Sequence, residues 1–446
     1  MSATQSDPDS SASRRPSSVA HGNPSADAAL IRPRIVFETP APEKRKPRIA
    51  LYSHDTMGLG HMRRNLLIAK SLVASDIEPT ILMLAGAREA SFFDLPRGVD
   101  TLTLPALRKQ SDGQYGSRNL GVSVDELTHL RSQILAVAIA AFAPDLLIVD
   151  NVPRGARNEL DLALSTIQRS RRSGCNTRCV LGLRDVRDNP EVVQREWTFD
   201  GNEQAVRNFY DEVWIYGDPA VYDLMNECRY SPDVAAKARY SGYLDRCATP
   251  GQDAARNAET TDLGLPPGKF VLCMVGGGQD GAELARAFAA TQLPEDQSAV
   301  LLTGPYMPAD TRAYLHARSA TNPRLRVLDF VNEPTDLLKQ ADRVITMGGY
   351  NSVCEALSFE IPALIVPRVK PRLEQWIRAE RLQRLGLVDV LHPDCLNSST
   401  LSGWLRQPRV QPHAREKINL NGLDCLSRMA GDLLLGGRQR PDTAFA

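Results

Sequence analysis

The sequence predicts an α/β protein built from two Rossmann-like, doubly wound halves that face a central cleft. Three observations predict it. Short apolar strands alternate with amphipathic helices along most of the chain, the pattern of a parallel sheet covered on both faces. The alternation stops at a soft segment, residues 249–261, poor in large apolar side chains, and then restarts. The chain has 446 residues and 42% hydrophobic content, too long for one core and rich enough to bury two.

Residues 1–46 are rich in Ser, Pro, Ala and Asp and cannot bury enough surface to offset their ordering entropy, so a disordered tail is predicted there. The first half is expected over 47–250. It opens on the strand Arg48–Ser53, a loop 54–61 reading HDTMGLGH, and a helix with Met62, Leu66, Ala69 and Val73 on one face. Strands near 79–85 and 100–104 follow. A helix over 124–142 is expected to bury Leu127, Leu130, Ile134, Val137 and Ala141. The strands 145–150, 179–185 and 212–216 come next, the first two ending in Asp150 and Asp185.

The second half is expected over 262–435, with a flexible tail at 436–446. Its strands are read at 269–275, 299–303, 325–330, 343–347 and 363–367, and its helices at 281–290, 334–340, from 351, and around 374–375. Ligands of such sheets sit beyond the carboxyl ends of the strands. The loops 53–61, 150–155, 184–188, 276–281, 303–306, 330–333 and 348–352 are therefore predicted to face one cleft.

Charge and cysteines bound the function. Lys+Arg and Asp+Glu both number 53, which argues against a chain-wide attraction to nucleic acid. The 8 cysteines form no CxxC pair and no zinc-type cluster, which suits reduced thiols in the cytoplasm. No apolar run approaches the ~20 residues of a membrane span, and the N-terminus lacks the order of a secretory signal. Arg169, Arg171 and Arg172 have two readings: a solvated helix end, or contact with anionic lipid.

The most informative stretch is 345–379. An apolar strand runs into Gly348-Gly349 and at once into a helix, which lets an anion approach bare N–H groups at a positive helix end. Gly276-Gly277-Gly278-Gln279-Asp280-Gly281 is a second strand-to-helix glycine loop, either an anion loop or simply a tight turn. The 276–281 loop is neither a dinucleotide fingerprint nor a P-loop, and the 53–61 loop lacks the fingerprint spacing as well. Glu355 can take the two hydroxyls of a ribose, or can close a capping box with Ser352. Glu374 and Gln375 open a charged helix whose ordinary explanation is a solvated face. His61, at a helix start on the cleft, can act as a general base or simply bind backbone or phosphate. Asp150 and Asp185 can orient a base or acceptor, or cap the loops that follow; Arg184 can pair with Asp185.

These motifs resemble those of the GT-B glycosyltransferases, most closely the branch of the peptidoglycan N-acetylglucosaminyltransferases (MurG-like). The resemblance spans about 47–435 and rests on GGGQDG at 276–281, LDFVNEPTDLLKQAD at 328–342, MGGYNSVCEALSFEIPALIVP at 347–367, LEQ at 373–375 and MGLGH at 57–61. It implies transfer of a sugar from a nucleotide-diphosphate donor, UDP-linked hexosamine or hexose, to an acceptor hydroxyl, with no resident cofactor or metal. Phe330 and Val331 would hold the base. Gly349, Tyr350, Asn351 and Ser352 would meet the diphosphate, and Glu355 the ribose. Gly277, Gly278, Gln279, Glu374 and Gln375 would complete the donor site. Gly58, Gly60 and His61 would receive the acceptor, with His61 as base and Asp185 or Asp150 as its understudy. Leu59 stands where the family has a small residue, and 374–375 reads Glu-Gln where the peptidoglycan enzymes have Gln-Gln. Peptidoglycan synthesis is therefore not implied. A nucleotide-sugar epimerase and a non-catalytic nucleotide-sugar-binding protein are the alternatives, and contact with the inner face of the membrane is a further expectation.

Overall fold

The computed structural model describes residues 45–54, 60–86, 93–109, 115–247, 263–277, 280–331 and 333–435. The predicted tails over 1–44 and 436–446, the soft segment 249–261, and Gly58, Gly278 and Gln279 lie outside the described residues. Arg45 and Lys46, counted above with the tail, pair with Asp145 and Glu78, each at 2.8 Å.

The first lobe carries a seven-stranded parallel sheet in the order β3-β2-β1-β6-β7-β8-β9. Its strands are β1 (Arg48–Ser53), β2 (Thr80–Ala85), β3 (Val99–Thr103), β6 (Leu146–Asp150), β7 (Arg178–Arg184), β8 (Glu212–Tyr216) and β9 (Ala238–Tyr240). A small antiparallel hairpin, β4 (Leu107–Lys109) and β5 (Tyr115–Ser117), lies off the sheet. The second lobe carries a six-stranded parallel sheet in the order β12-β11-β10-β13-β14-β15. These are β10 (Phe270–Met274), β11 (Ser298–Leu302), β12 (Leu325–Leu328), β13 (Ala341–Thr346), β14 (Ala363–Ile365) and β15 (Asp389–Val390). Both orders are doubly wound: each sheet reverses direction beside its first strand, between β1 and β6 and between β10 and β13, where the strand ends open a crevice. The central strands are largely apolar because helices cover them on both faces; every residue of β6, its terminal Asp150 included, and of β10 is buried.

The helices that build the site are α1 (Gly60–Val73), α2 (Val124–Phe142), α3 (Asp161–Arg171), α4 (Ala282–Ala289), α5 (Tyr350–Ser358), α6 (Glu374–Arg384) and α7 (Gly422–Leu435). α7 ends the stretch read as the second half, yet it lies against α1 of the first: the Ser71 hydroxyl donates to the Leu423 carbonyl at 3.3 Å. Met62, Leu66, Val353, Leu357, Leu426 and Met429 belong to one core that runs between the lobes.

One predicted helix face is corrected. In α2 the buried stripe is Leu127, Arg131, Leu135 and Ile139, while Leu130 and Val137 are 42% and 49% exposed and Ala141 faces solvent. The cause is a buried charge on the core stripe. Arg131 donates from Nη2 to Glu159 at 2.7 Å and from Nη1 to the Pro105 carbonyl at 2.6 Å, and Tyr52 donates to the same glutamate. A paired, hydrogen-bonded arginine can occupy a core position that an apolar pattern assigns to leucine.

Candidate active site

A cleft of about 430 Å³ runs between the two strand-end crevices. The first lobe lines it with Gly60, His61, Arg63, Arg64 and Arg184. The second lobe contributes Gly276–Gly277, Asp280, Gly304–Tyr306, Phe330–Val331, Thr346–Met347, Gly349–Ser352, Arg368, Arg372 and Glu374–Gln375. Among the described residues, the predicted loops at 60–61, 184, 276–277, 304–306, 330–331 and 349–352 therefore meet in one space. The loop 151–155 does not line it. Asp150 lies behind His61, wholly buried.

His61 is in the first turn of α1. Its Nδ1 sits 2.5 Å from Asp150 Oδ2, so a ring that donates Nδ1–H to this carboxylate presents Nε2 as the basic nitrogen. Asp150 also accepts from Arg64, three residues along α1, through Nε at 3.2 Å and Nη2 at 2.6 and 2.7 Å. Burial alone would raise this carboxyl's pKa, but Arg64 and His61 outweigh burial and hold it well below the usual carboxylate range. His54, its ring 4.8 Å from that of His61, is pushed down by burial and by its histidine neighbour, so it stays neutral.

Asp185 holds a different place from the one its position at a strand end suggested. It is wholly buried and accepts from Arg378 of α6, at 2.8 Å from Nε and 2.7 Å from Nη2, and from the Tyr243 hydroxyl at 2.9 Å. Its carboxylate is taken up by a cation of the other lobe and does not border the cleft. Arg184 does not pair with it. The position behind the candidate base belongs to Asp150.

The same Arg378 donates from Nη1 to the Gly348 carbonyl at 3.1 Å, so one guanidinium ties the first lobe to the second-lobe glycine loop. Gly348 has φ +83°, and a Cβ there would meet Ile365 Cγ2 at 2.7 Å, which is why this turn needs glycine. Gly349 is the N-cap of α5, and the first intrahelical bond runs from Val353 N–H to its carbonyl at 3.0 Å. The N–H groups of Tyr350, Asn351 and Ser352 precede that bond at the positive end of the helix, beside the cleft. Because the helix begins at Tyr350, Ser352 is not its cap, and the capping box with Glu355 does not form. Tyr350 lies between two cations, 5.5 Å from Arg64 and 5.7 Å from Arg378, and stacks 6.2 Å from Tyr243. The Asn351 side chain donates across the cleft to the Gly60 carbonyl at 2.9 Å.

Glu355 is buried off the cleft wall, its Oε1 ion-paired to Arg246 Nε at 3.2 Å with Arg63 Nη2 at 3.8 Å, though among the described residues Oε1 accepts no well-aligned hydrogen bond. Glu374 and Gln375 form the first turn of α6 and border the cleft, not a solvated face. Arg368 draws them together: it donates to Glu374 Oε1 and to Asp280, both at 2.7 Å, and its backbone N–H donates to Gln375 at 2.9 Å. Glu374 Oε2 is buried with no hydrogen bond among the described residues. Sequence reasoning missed Arg63, Arg64, Arg368 and Arg372, and read Arg184 only as a partner for Asp185. A signal was present: arginines sit two and three residues after His61 and at the end of β7, where side chains reach a strand-end cleft. Among the described residues no group of three or more His, Cys, Asp and Glu side chains is placed to hold a metal ion.

Two Rossmann-like lobes around one cleft define the GT-B fold. Residues 271–418 match the glycosyltransferase family 28 C-terminal domain. The chain is 29% identical over 195 residues to a UDP-N-acetylglucosamine–N-acetylmuramyl-(pentapeptide) pyrophosphoryl-undecaprenol N-acetylglucosamine transferase of Prochlorococcus marinus, covering 41% of this chain and 54% of that protein. It is 35% identical over 83 residues to the NDP-glycosyltransferase YjiC of Bacillus licheniformis, covering 19% of this chain and 20% of that one. The chain thus spans about half the length of these relatives, or less. The calicheamicin glycosyltransferase CalG4 superposes over 88% of this chain and 99% of its own, with TM-score 0.53 and 15% identity. A UDP-N-acetylglucosamine 2-epimerase of Listeria monocytogenes, described as putative, superposes over 90% and 100%, with TM-score 0.54 and 14% identity. At these identities the likeness carries the fold. Among the described residues no helix is long and apolar enough to cross a membrane.

Proposed function

We propose that the protein transfers a sugar from a nucleotide-diphosphate donor, UDP-linked hexosamine or hexose, to an acceptor hydroxyl. One observation carries this reading: a helix N-terminus presenting the amides of 350–352 and His61, backed by the buried Asp150, border the same cleft from opposite lobes. In this reading Phe330 and Val331 hold the base, and Glu355, ion-paired through Oε1 to Arg246, takes the ribose. Glu374 and Gln375 take the sugar, and Gly60 and His61 receive the acceptor. The amides of 350–352 and the helix dipole take the leaving diphosphate's charge, so the reaction asks for no resident metal. His61 Nε2 accepts the acceptor's proton, with Asp150 supporting the imidazolium that forms. The second-lobe match to glycosyltransferase family 28 supports donor binding there. The same reading places the protein in the cytoplasm, meeting the inner membrane face through the exposed Leu130 and Val137 of α2 and the basic end of α3 packed against it.

The test is to incubate the protein with a panel of UDP- and GDP-sugars, with and without a mixture of hydroxyl acceptors. Transfer predicts acceptor-dependent release of the nucleotide diphosphate. An epimer formed from the donor without any acceptor would replace transfer by epimerisation. Donor binding with no turnover under either condition would leave a binding protein.

A further inference from the structure

The first lobe places one cation on the cleft wall that, among the described residues, no carboxylate pairs with at contact distance. Of the five arginines bordering the cleft, Arg64 is held by Asp150, Arg368 by Asp280 and Glu374, and Arg372 by Asp188 and Glu196. Arg63 faces Glu355 at 3.8 Å. Arg184, at the end of β7, has no ion-pair partner among the described residues, and its Nε is buried with no hydrogen bond. Its neighbour Asp185 is turned away to Arg378. Burial, with the nearby cations Arg64, Arg378 and Arg187, pushes the Arg184 guanidinium down to about 10 even though Glu374 opposes this. A partly buried cation that lacks an ion-pair partner costs stability, and a side chain that gains an anion only on binding recovers that cost at that moment.

Geometry also says where the anion sits. Arg378 bonds Asp185 and the Gly348 carbonyl with a single guanidinium, at 2.7 and 3.1 Å. Residue 184 therefore lies within about one arginine's reach of the turn that presents the amides of 350–352. We propose that Arg184 is a catalytic residue that reaches across from the first lobe to bind the donor's diphosphate and take up its charge as the sugar leaves. The inference rests on the transfer reading above. When the acceptor oxygen bonds to the anomeric carbon, the bond from that carbon to the β-phosphate oxygen breaks and its electron pair stays on that oxygen. The acceptor's proton passes to His61 Nε2. Arg184 then faces a phosphate carrying one more negative charge, so its hydrogen bonds are stronger in the transition state than in the bound donor.

The test compares wild type, Arg184→Gln and Arg184→Lys by calorimetry with inorganic pyrophosphate, UDP and uridine, together with turnover of the UDP-sugar. Arg184→Gln should weaken pyrophosphate and UDP by about ten- to a hundredfold and leave uridine unchanged. Arg184→Lys should recover part of the loss. Turnover by Arg184→Gln should fall by about 10²–10³-fold. Melting of the ligand-free Arg184→Gln protein should be no lower than that of wild type, because an unpaired cation has been removed; a lower melting point would mark a structural arginine and count against the proposal. Equal pyrophosphate binding by wild type and Arg184→Gln, or none by either, would overturn it. So would a rise in acceptor KM alone, which would put the anion on the acceptor. Arg184-dependent pyrophosphate binding in a protein that transfers no sugar would support the anion site and refute the transfer reading.

Discussion

Replacing His61 by alanine should lower kcat by about 10²–10⁴-fold, the range for removing a general base, while UDP binding stays close to wild type. The split follows from the geometry. His61 borders the cleft from the first lobe, on Asp150, whereas the amides and glycine turn assigned to the diphosphate belong to the second. Steady-state kinetics together with calorimetry read the two quantities separately. A fall in kcat of only a few-fold would end the assignment of His61 as base.

Replacing Arg378 by methionine should destabilise the protein by about 3–5 kcal/mol, because it strands the buried Asp185 carboxylate with only the Tyr243 hydroxyl. Differential scanning calorimetry should register this as a Tm lowered by roughly 5–15 °C. Arg378→Met combined with Asp185→Leu removes both charges and should recover much of that loss, since a buried ion pair replaced by apolar side chains is often close to neutral. The double variant should still bind UDP more weakly, because the Gly348 carbonyl loses its donor and the turn before α5 loses its tether. If the single variant melts like wild type, the pair does not join the lobes as described.

The alternation of elements was legible because buried parallel strands are near-continuous apolar runs: β10 is apolar along its whole length, and β6 up to its terminal Asp150. The glycine turn at 348–349 was legible for a similar reason: a positive φ and a crowded Cβ position leave few other residues possible. Charged partners were not legible. Asp185 and Asp150 both end strands and look alike in sequence. What separates them is Arg378, 193 positions away, and Arg64, 86 positions away, and no local pattern reports such pairings. Arg131 misled the reading of α2 in the same manner, since a leucine stripe and a stripe holding one paired arginine differ only in the partner. Glu355 was ambiguous until the helix start was known, because the capping box depends on Ser352 being the first residue outside the helix.

The account depends on main-chain amides of α5 holding a diphosphate at the mouth of the second lobe. A crystal structure of the protein soaked with UDP tests this directly. The predicted result is diphosphate density against the N–H groups of 350–352 with Arg184 turned onto it. Nucleotide density elsewhere, with that helix end left to solvent, would contradict it.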